Sequence, residues 1–261
     1  MTQFKQWAFI ILCIGCGLAV YVGSTLIGAL LTGSAVASSA IGALVTFVLV
    51  VIWRRWAKVA GTPALGSQGW TGFLPTVVIV MAIAVVMTQI LSSFVRLNMG
   101  SEGFEQVLVT QASTPIGLLL VSGLVLAPMG EEALLRGFAY PLLRRKWPPL
   151  ASAFVTSMVF ALIHGNLAQI VLAFPLGMLL AYIYEITQRL WVPVTAHMLF
   201  NLGSIVLPAS LIGQLATPVG AAAAVVALAI AVLLMRETLI RNTSDEGLHG
   251  GQPTDSLTPP Q

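Results

Sequence analysis

Long runs of apolar residues, separated by short polar or charged segments, dominate the chain. An apolar helix needs about 20 residues to cross the hydrocarbon core of a bilayer. Eight runs come close to this length or exceed it: residues 7–31, 35–53, 74–95, 116–139, 150–166, 168–187, 190–208 and 217–235. The pattern predicts an all-α fold, a polytopic bundle of eight transmembrane helices. The fifth run is short and ends at Gly165 and Asn166, as expected of a helix that stops inside the membrane.

The composition excludes a soluble globular protein. Hydrophobic residues make up 57% of the 261 residues and charged residues 8%, against roughly 25% charged in a typical soluble domain. The mean hydropathy is +0.95, so the lipid bilayer is the expected surrounding of most of the chain. The 12 basic residues form no stripe, and the net charge of +3 gives no reason to expect nucleic acid as a partner.

The positions of the basic residues predict the orientation of the helices. All but two, Arg96 and Arg136, lie near the start of the chain or after runs two, four, six and eight. With eight spans they fall on one side, which is the cytoplasmic side by the positive-inside rule. We therefore predict that both termini are inside. Residues 1–235 are expected to form a single transmembrane domain and residues 236–261 a disordered cytoplasmic tail, because the sequence becomes polar there.

Polar groups that are costly at membrane depth are concentrated in runs four, five and seven. They are Glu131, Glu132, Arg136, His164, His197 and Asn201. Two of the three histidines of the chain are among them. A purely structural bundle has little reason to place carboxylates, imidazoles, a guanidinium and an amide in the membrane. The sequence therefore predicts a functional site built from these runs.

Helical geometry sorts these groups into partners. Residues four apart lie on one face of a helix, whereas adjacent residues diverge by about 100°. Glu132 and Arg136 are therefore predicted to pair, which neutralises two costly charges, and Glu131 points elsewhere. By the same spacing His197 and Asn201 share a face. The simplest arrangement places Glu131, the two histidines and the Asn201 amide around one cavity. The ion pair then serves as structural support.

Such a cavity suits hydrolysis with water as the nucleophile. A carboxyl group in a low-dielectric pocket can hold or pass a proton near neutral pH, and a neighbouring histidine can help activate water. A second histidine and an amide can donate hydrogen bonds to a developing oxyanion. The chain has neither a G-x-S-x-G elbow nor an H-E-x-x-H motif. One carboxylate and two histidines could still hold a metal ion, which leaves a metal-dependent reaction open.

The depths of the two histidines conflict on simple counting. His197 lies about 9 Å, and His164 about 21 Å, beyond the cytoplasmic start of its run at the helical rise per residue. The two side chains can meet only if the fifth run begins above the bilayer surface or if the helices are tilted.

Three motifs, in this order, resemble the signature of the CPBP family of CAAX proteases and bacteriocin-processing proteins, also called the Abi family. They are Glu131-Glu132-x-x-x-Arg136, Phe160-x-x-x-His164 and His197-x-x-x-Asn201. The eukaryotic members of this family are the type II CAAX prenyl endopeptidases. The resemblance covers roughly residues 115–208, and it implies a catalytic core formed by helices four to seven.

The resemblance implies an intramembrane glutamic endopeptidase. Glu131 would activate the water with help from His164, while His197 and Asn201 would form the oxyanion hole. No cofactor is implied, and the alternative is a zinc-type metalloendopeptidase with Glu131, His164 and His197 as ligands. The implied partner is a membrane-associated peptide or protein, in CAAX-type processing or in bacteriocin maturation or immunity. The short loops and small size favour a multi-pass protein of a bacterial cell membrane.

Two other classes of function remain open at this stage. Buried glutamate and histidine side chains also form proton relays, which makes a proton-coupled transporter an alternative. A transporter predicts internal repeats with broken helices, and none is convincing between residues 1–110 and 111–235. The other alternative is an immunity or scaffold protein that binds without cleaving, although binding alone does not need Glu131.

Overall fold

The computed structural model describes the backbone of residues 3–57 and 69–249, and the side chains of residues 11–57 and 74–233. Within these ranges the backbone contains helices and short connections but no strand, so the predicted all-α fold is confirmed. The helices in this part of the chain are α1 (Gln3–Thr32), α2 (Ala35–Trp56), α3 (Gly69–Met99), α4 (Glu102–Ala112), α5 (Ile116–Arg144), α6 (Pro149–Leu162), α7 (Leu167–Thr187), α8 (Trp191–Val206), α9 (Ala209–Leu215) and α10 (Pro218–His249).

Each of the eight predicted runs corresponds to a helix, but not every helix is long enough to span a membrane. Among the described residues, α1, α2, α3, α5 and α7 are long and apolar enough to cross, and α8 with α9 forms a sixth candidate bent by 89°. The fifth run forms α6, whose 14 residues extend about 21 Å at the helical rise. The chain is therefore a multi-pass membrane protein with five or six candidate spans.

Two short helices were not predicted, and the last helix is longer than predicted. Helix α4 follows Gly100, and α9 follows the bend after α8. Helix α10 continues past Arg236, where we predicted the tail to begin, and ends at His249. Residues 250–261 lie outside the described part of the chain.

The helices α2, α5 and α7 end at the same end of the bundle, where polar contacts join them. Arg54 Nη1 of α2 donates hydrogen bonds to the Gly137 carbonyl oxygen of α5 at 2.9 Å and to the Tyr184 hydroxyl of α7 at 3.0 Å. Arg144 of α5 forms an ion pair of 2.8 Å with Glu185 of α7. We call this the basic end, because Arg54, Arg55, Arg144, Arg145 and Lys146 lie there.

A proline explains why the Gly137 carbonyl oxygen can accept a hydrogen bond from a side chain. In an α-helix the carbonyl oxygen of residue 137 would accept from the N–H of residue 141, which is a proline and has none. The surrounding segment Ala133–Ala139 is π-helical, and such bulges often accompany functional sites. Arg54 therefore satisfies a carbonyl that the local sequence leaves without its usual partner.

Helix α7 lies at the centre of the bundle, in contact with α3, α6 and α8. Its residues Leu180 and Ile183 are fully buried in the main hydrophobic core. Gly177 lets α6 approach closely, since a Cβ there would lie 2.9 Å from the Ser157 Cβ and 3.1 Å from the Phe160 ring. This close packing places Phe160 of α6 against the region where α5 and α8 also meet.

Candidate active site

The ion pair predicted from sequence spacing forms at the buried centre of α5. Arg136 Nη1 lies 2.9 Å from Glu132 Oε1, and both side chains have 0% exposure. Arg136 Nη2 also donates a hydrogen bond to the Gly177 carbonyl oxygen of α7. An unpaired charge at this position would be costly, and the pair ties α5 to the central helix.

Glu132 has a second partner that the sequence did not reveal. His197 Nδ1 of α8 lies 3.0 Å from Glu132 Oε1, the same oxygen that accepts from Arg136. A carboxylate can only accept, so His197 Nδ1 carries the hydrogen in this contact. His197 is 3% exposed, and a hydrogen bond to one ring nitrogen fixes the orientation of the other.

The second ring nitrogen of His197 faces Glu131. His197 Nε2 lies 3.8 Å from Glu131 Oε2, beyond normal hydrogen-bond distance. The Glu131 side chain is 12% exposed, and it interacts electrostatically with both His197 and His164. Glu131 therefore lies beside His197 and within electrostatic range of His164, while Glu132 contacts the other ring nitrogen of His197.

His164 lies in the turn directly after α6. Its Nδ1 is 2.8 Å from the Phe160 carbonyl oxygen, to which it donates, so Nε2 is the ring atom able to accept a hydrogen bond. Gly165 has a φ of +71°. This left-handed conformation commonly ends a helix, and glycine adopts it most readily. Asn166 is the N-cap residue of α7, and its Oδ1 accepts a hydrogen bond from the Gln169 N–H at 2.9 Å.

Phe160 provides a contact that the two histidines share. Its ring packs edge-to-face on His164 at 5.0 Å and on His197 at 5.5 Å between centroids. The Arg136 guanidinium lies 5.5 Å from the centre of the same ring. Sequence reasoning named Phe160 only as part of a motif, because contacts between three helices have no local signal.

Asn201 is anchored to α5 by a hydrogen bond that proline makes possible. Its Nδ2 donates to the Gly123 carbonyl oxygen at 2.8 Å. In the π-helical segment Val121–Leu126 the Ala127 N–H bonds to Ser122, and the next residue, Pro128, has no N–H for Gly123. A side-chain amide has two N–H groups, so one remains for another acceptor.

Within the described residues, no three His, Cys, Asp or Glu side chains are grouped so that they could hold a metal ion. Of the three ligands of the zinc alternative, Glu131 and His197 have facing atoms 3.8 Å apart. This separation is close to that of two ligand atoms on one zinc ion with bonds of about 2 Å.

Comparisons with known proteins agree with the motifs. Residues 113–203 match a family model described as type II CAAX prenyl endopeptidase Rce1-like. A putative membrane peptidase, YdiL of Bacillus subtilis, is 29% identical over 101 residues, which are 39% of this chain and 41% of that protein. The membrane-embedded CAAX protease MroQ of Staphylococcus aureus is 28% identical over 136 residues, 50% of this chain and 53% of that protein.

A further relative, an uncharacterized 24.3 kDa protein of Escherichia coli, is 29% identical over 165 residues, 60% of this chain and 74% of that protein. The matches to the two proteins named as peptidase or protease thus span about half of their length or less. No solved structure matches the chain. The resemblance to the CAAX protease family is confirmed, and the bacterial relatives agree with the expected bacterial source.

Proposed function

We propose that the chain is an intramembrane endopeptidase that hydrolyses membrane-associated peptides or proteins with a water molecule activated by Glu131. The observation that carries the proposal is the placement of Glu131 beside His197 Nε2 and within electrostatic reach of His164. The match of residues 113–203 to the Rce1-like model and the names of the relatives support the same activity. All these side chains belong to α5, α8 and the turn after α6.

In the proposed reaction Glu131 takes a proton from water while the water oxygen bonds to the carbonyl carbon of the peptide. The carbonyl electron pair moves to the oxygen, and donors at His197 Nε2 and Asn201 stabilise that oxyanion. The carbon–nitrogen bond then breaks, and the proton held by Glu131 passes to the leaving amine. His164 Nε2 accepts a hydrogen bond from the attacking water and orients it.

The hydrogen bond from His197 Nδ1 to Glu132 sets a requirement for this assignment. Nε2 can donate to the oxyanion only when it also carries a hydrogen, so His197 acts as a doubly protonated imidazolium in the proposed reaction. Glu132 and Arg136 compensate each other's charge, and an ionised Glu131 would balance the charge of that imidazolium.

The same proposal includes the orientation of the chain. We propose eight membrane-spanning or membrane-inserted helices, α1, α2, α3, α5, α6, α7, α8 and α10, with both termini and the basic end in the cytoplasm. The supporting observation is that Arg54, Arg144 and their basic neighbours lie together at one end of the bundle. CAAX-type processing and bacteriocin maturation or immunity remain the candidate biological roles.

The proposed reaction needs no metal ion, and chelation tests this. The purified protein in detergent is expected to cleave quenched-fluorescent peptides of randomised sequence, with and without a prenylated cysteine, at a rate unchanged by a strong chelator. The measurement is the initial rate before and after chelation, with a known zinc protease as the positive control. Loss of cleavage with chelator and its recovery on adding zinc would support the metalloendopeptidase instead.

Phe160 is expected to act as a positioning residue. Phe160→Leu should lower kcat roughly 100-fold with little change in KM, because misplacing catalytic groups by about 1 Å has effects of this size. Phe154→Leu on the same helix is the matched control, since Phe154 is 49% exposed and packs on Phe174 away from the histidines. Equal kcat values for the two variants, with equal unfolding temperatures, would contradict this role.

A further inference from the structure

A cavity of about 400 Å³ opens beside His164, at the opposite end of the bundle from the basic end. Four elements form its walls: the first turns of α2, one face of α4, the first half of α5 and the start of α7. Its volume lies in the range of roughly 300–1,000 Å³ that is typical of ligand pockets. The cavity is therefore large enough to hold a segment of another molecule.

The cavity leads to the catalytic groups. His164 is part of its wall, as are Gly123, whose carbonyl oxygen accepts from Asn201, and Ala127. Ala127 and Glu131 are four residues apart in the α-helical segment Ala127–Glu132, so they lie on the same face of α5. A molecule in this cavity would lie one helical turn from the proposed catalytic carboxylate.

Most of the lining surface is apolar, but it carries several uncharged polar side chains. Side-chain amides and hydroxyls line it at Ser39, Gln106, Thr110, Ser122 and Gln169, and no Asp, Glu, Lys or Arg is among the lining residues. The Ser122 hydroxyl is buried and has no hydrogen-bond partner among the described residues. Amides and hydroxyls both donate and accept, which matches the alternating N–H and C=O groups of a peptide backbone.

A second, larger cavity of about 500 Å³ between α3 and α8 does not suit this purpose. It is lined almost entirely by apolar residues, among them Val85, Leu199 and Phe200. His164, Gly123 and Ala127, which line the first cavity, are not among its lining residues. That groove lies on the other side of α8 from the catalytic groups.

We propose that the cavity beside His164 is the binding site for an extended polypeptide segment, which enters at the end of the bundle opposite the basic end. The proposal rests on the proposed endopeptidase function and specifies its substrate class. With the basic end in the cytoplasm, the segment reaches the site from the outer face of the membrane. The substrates are then exported peptides or the external segments of membrane proteins, in an unfolded stretch of chain.

Helix α4 offers a matched pair of positions for a test. Thr110 lines the cavity, whereas the adjacent Val109 is 63% exposed and is not a lining residue. Thr110→Trp should lower kcat/KM for the randomised peptides by about 10-fold or more, mainly through KM, because it fills the site of ground-state binding. Val109→Trp should leave both constants within about 2-fold of the parent. Equal kinetics for the two variants would overturn the proposal.

Thiol protection tests binding without relying on cleavage. Thr110→Cys and Val109→Cys are made in a Cys13→Ala, Cys16→Ala background that also carries Glu131→Gln. The randomised peptides should slow modification of the cysteine at position 110 and leave that at position 109 unaffected. Protection without cleavage by the parent protein would refute the endopeptidase and retain the binding site. Cleavage without selective protection would retain the endopeptidase and refute this site.

The side of entry has its own measurement. In intact bacterial cells, a membrane-impermeant thiol reagent should label Thr110→Cys, while Arg145→Cys at the basic end should be labelled only after the cells are permeabilised. Arg145 is an exposed side chain, so poor labelling there in intact cells would not reflect burial. The reverse labelling pattern would overturn entry from the outer face.

Discussion

Glu131→Gln is expected to abolish cleavage while leaving the protein folded. The amide has nearly the same size and shape as the carboxyl group but cannot take a proton from water, and loss of a general base lowers rates by about 10²–10⁴-fold. Little destabilisation is expected, because the Glu131 carboxylate is 3.8 Å from His197 Nε2, beyond hydrogen-bond distance, and the side chain is partly exposed. The measurement is the initial rate of peptide cleavage, with thermal unfolding in detergent as the check on folding.

Glu105→Gln is the matched control for this variant. Glu105 is a half-exposed glutamate of α4 that pairs with Arg96, and it is not one of the proposed catalytic residues. Its replacement should leave the rate of cleavage close to that of the parent protein. Full activity in Glu131→Gln would refute the proposed mechanism, whatever the result for the control.

Arg136→Ala is expected to produce the largest loss of stability. The substitution leaves the Glu132 carboxylate buried without its guanidinium partner, removes the donor to the Gly177 carbonyl oxygen and opens space beside Phe160. Breaking a buried ion pair by removing one partner costs about 3–5 kcal/mol. The unfolding temperature in detergent and the folded yield should both fall.

An exposed ion pair supplies the control. Arg96 and Glu105 lie 3.2 Å apart with side chains 34% and 55% exposed, and such pairs contribute about 0–1 kcal/mol. Arg96→Ala should therefore change stability little. The double variant Glu132→Gln, Arg136→Met should be more stable than Arg136→Ala, because it leaves no unpaired charge. Arg136→Ala as stable as Arg96→Ala would contradict the structural role of the buried pair.

The helices themselves could be located from sequence. Each apolar run corresponds to a helix, because burying backbone polar groups in a bilayer requires that they bond within the segment. The run from 150 to 166 was predicted to be short, and α6 ends at Leu162. The number of complete spans could not be settled in this way, since the bend after α8 and the short α6 depend on packing against other helices.

Side-chain contacts within one helix were also predictable, whereas side-chain contacts between helices were not. The Glu132–Arg136 pair follows from their spacing of four residues, and the structure contains it. The hydrogen bond from His197 to Glu132 joins α8 to α5, and no local pattern specifies which carboxylate a distant histidine meets. Sequence reasoning placed Glu132 in a supporting role with Arg136, and it did not predict the contact with His197.

The sequence by itself determined the membrane setting, the helix positions and the six polar residues, because apolar length and the cost of buried charge are properties of the local chain. The tertiary structure alone decided that one Phe160 ring contacts both histidines, and that Asn201 bonds to the carbonyl of Gly123. It also formed the cavity beside His164 from parts of α2, α4, α5 and α7. These features depend on the close approach of helices at Gly177 and on carbonyls left free beside prolines, and helical periodicity records neither.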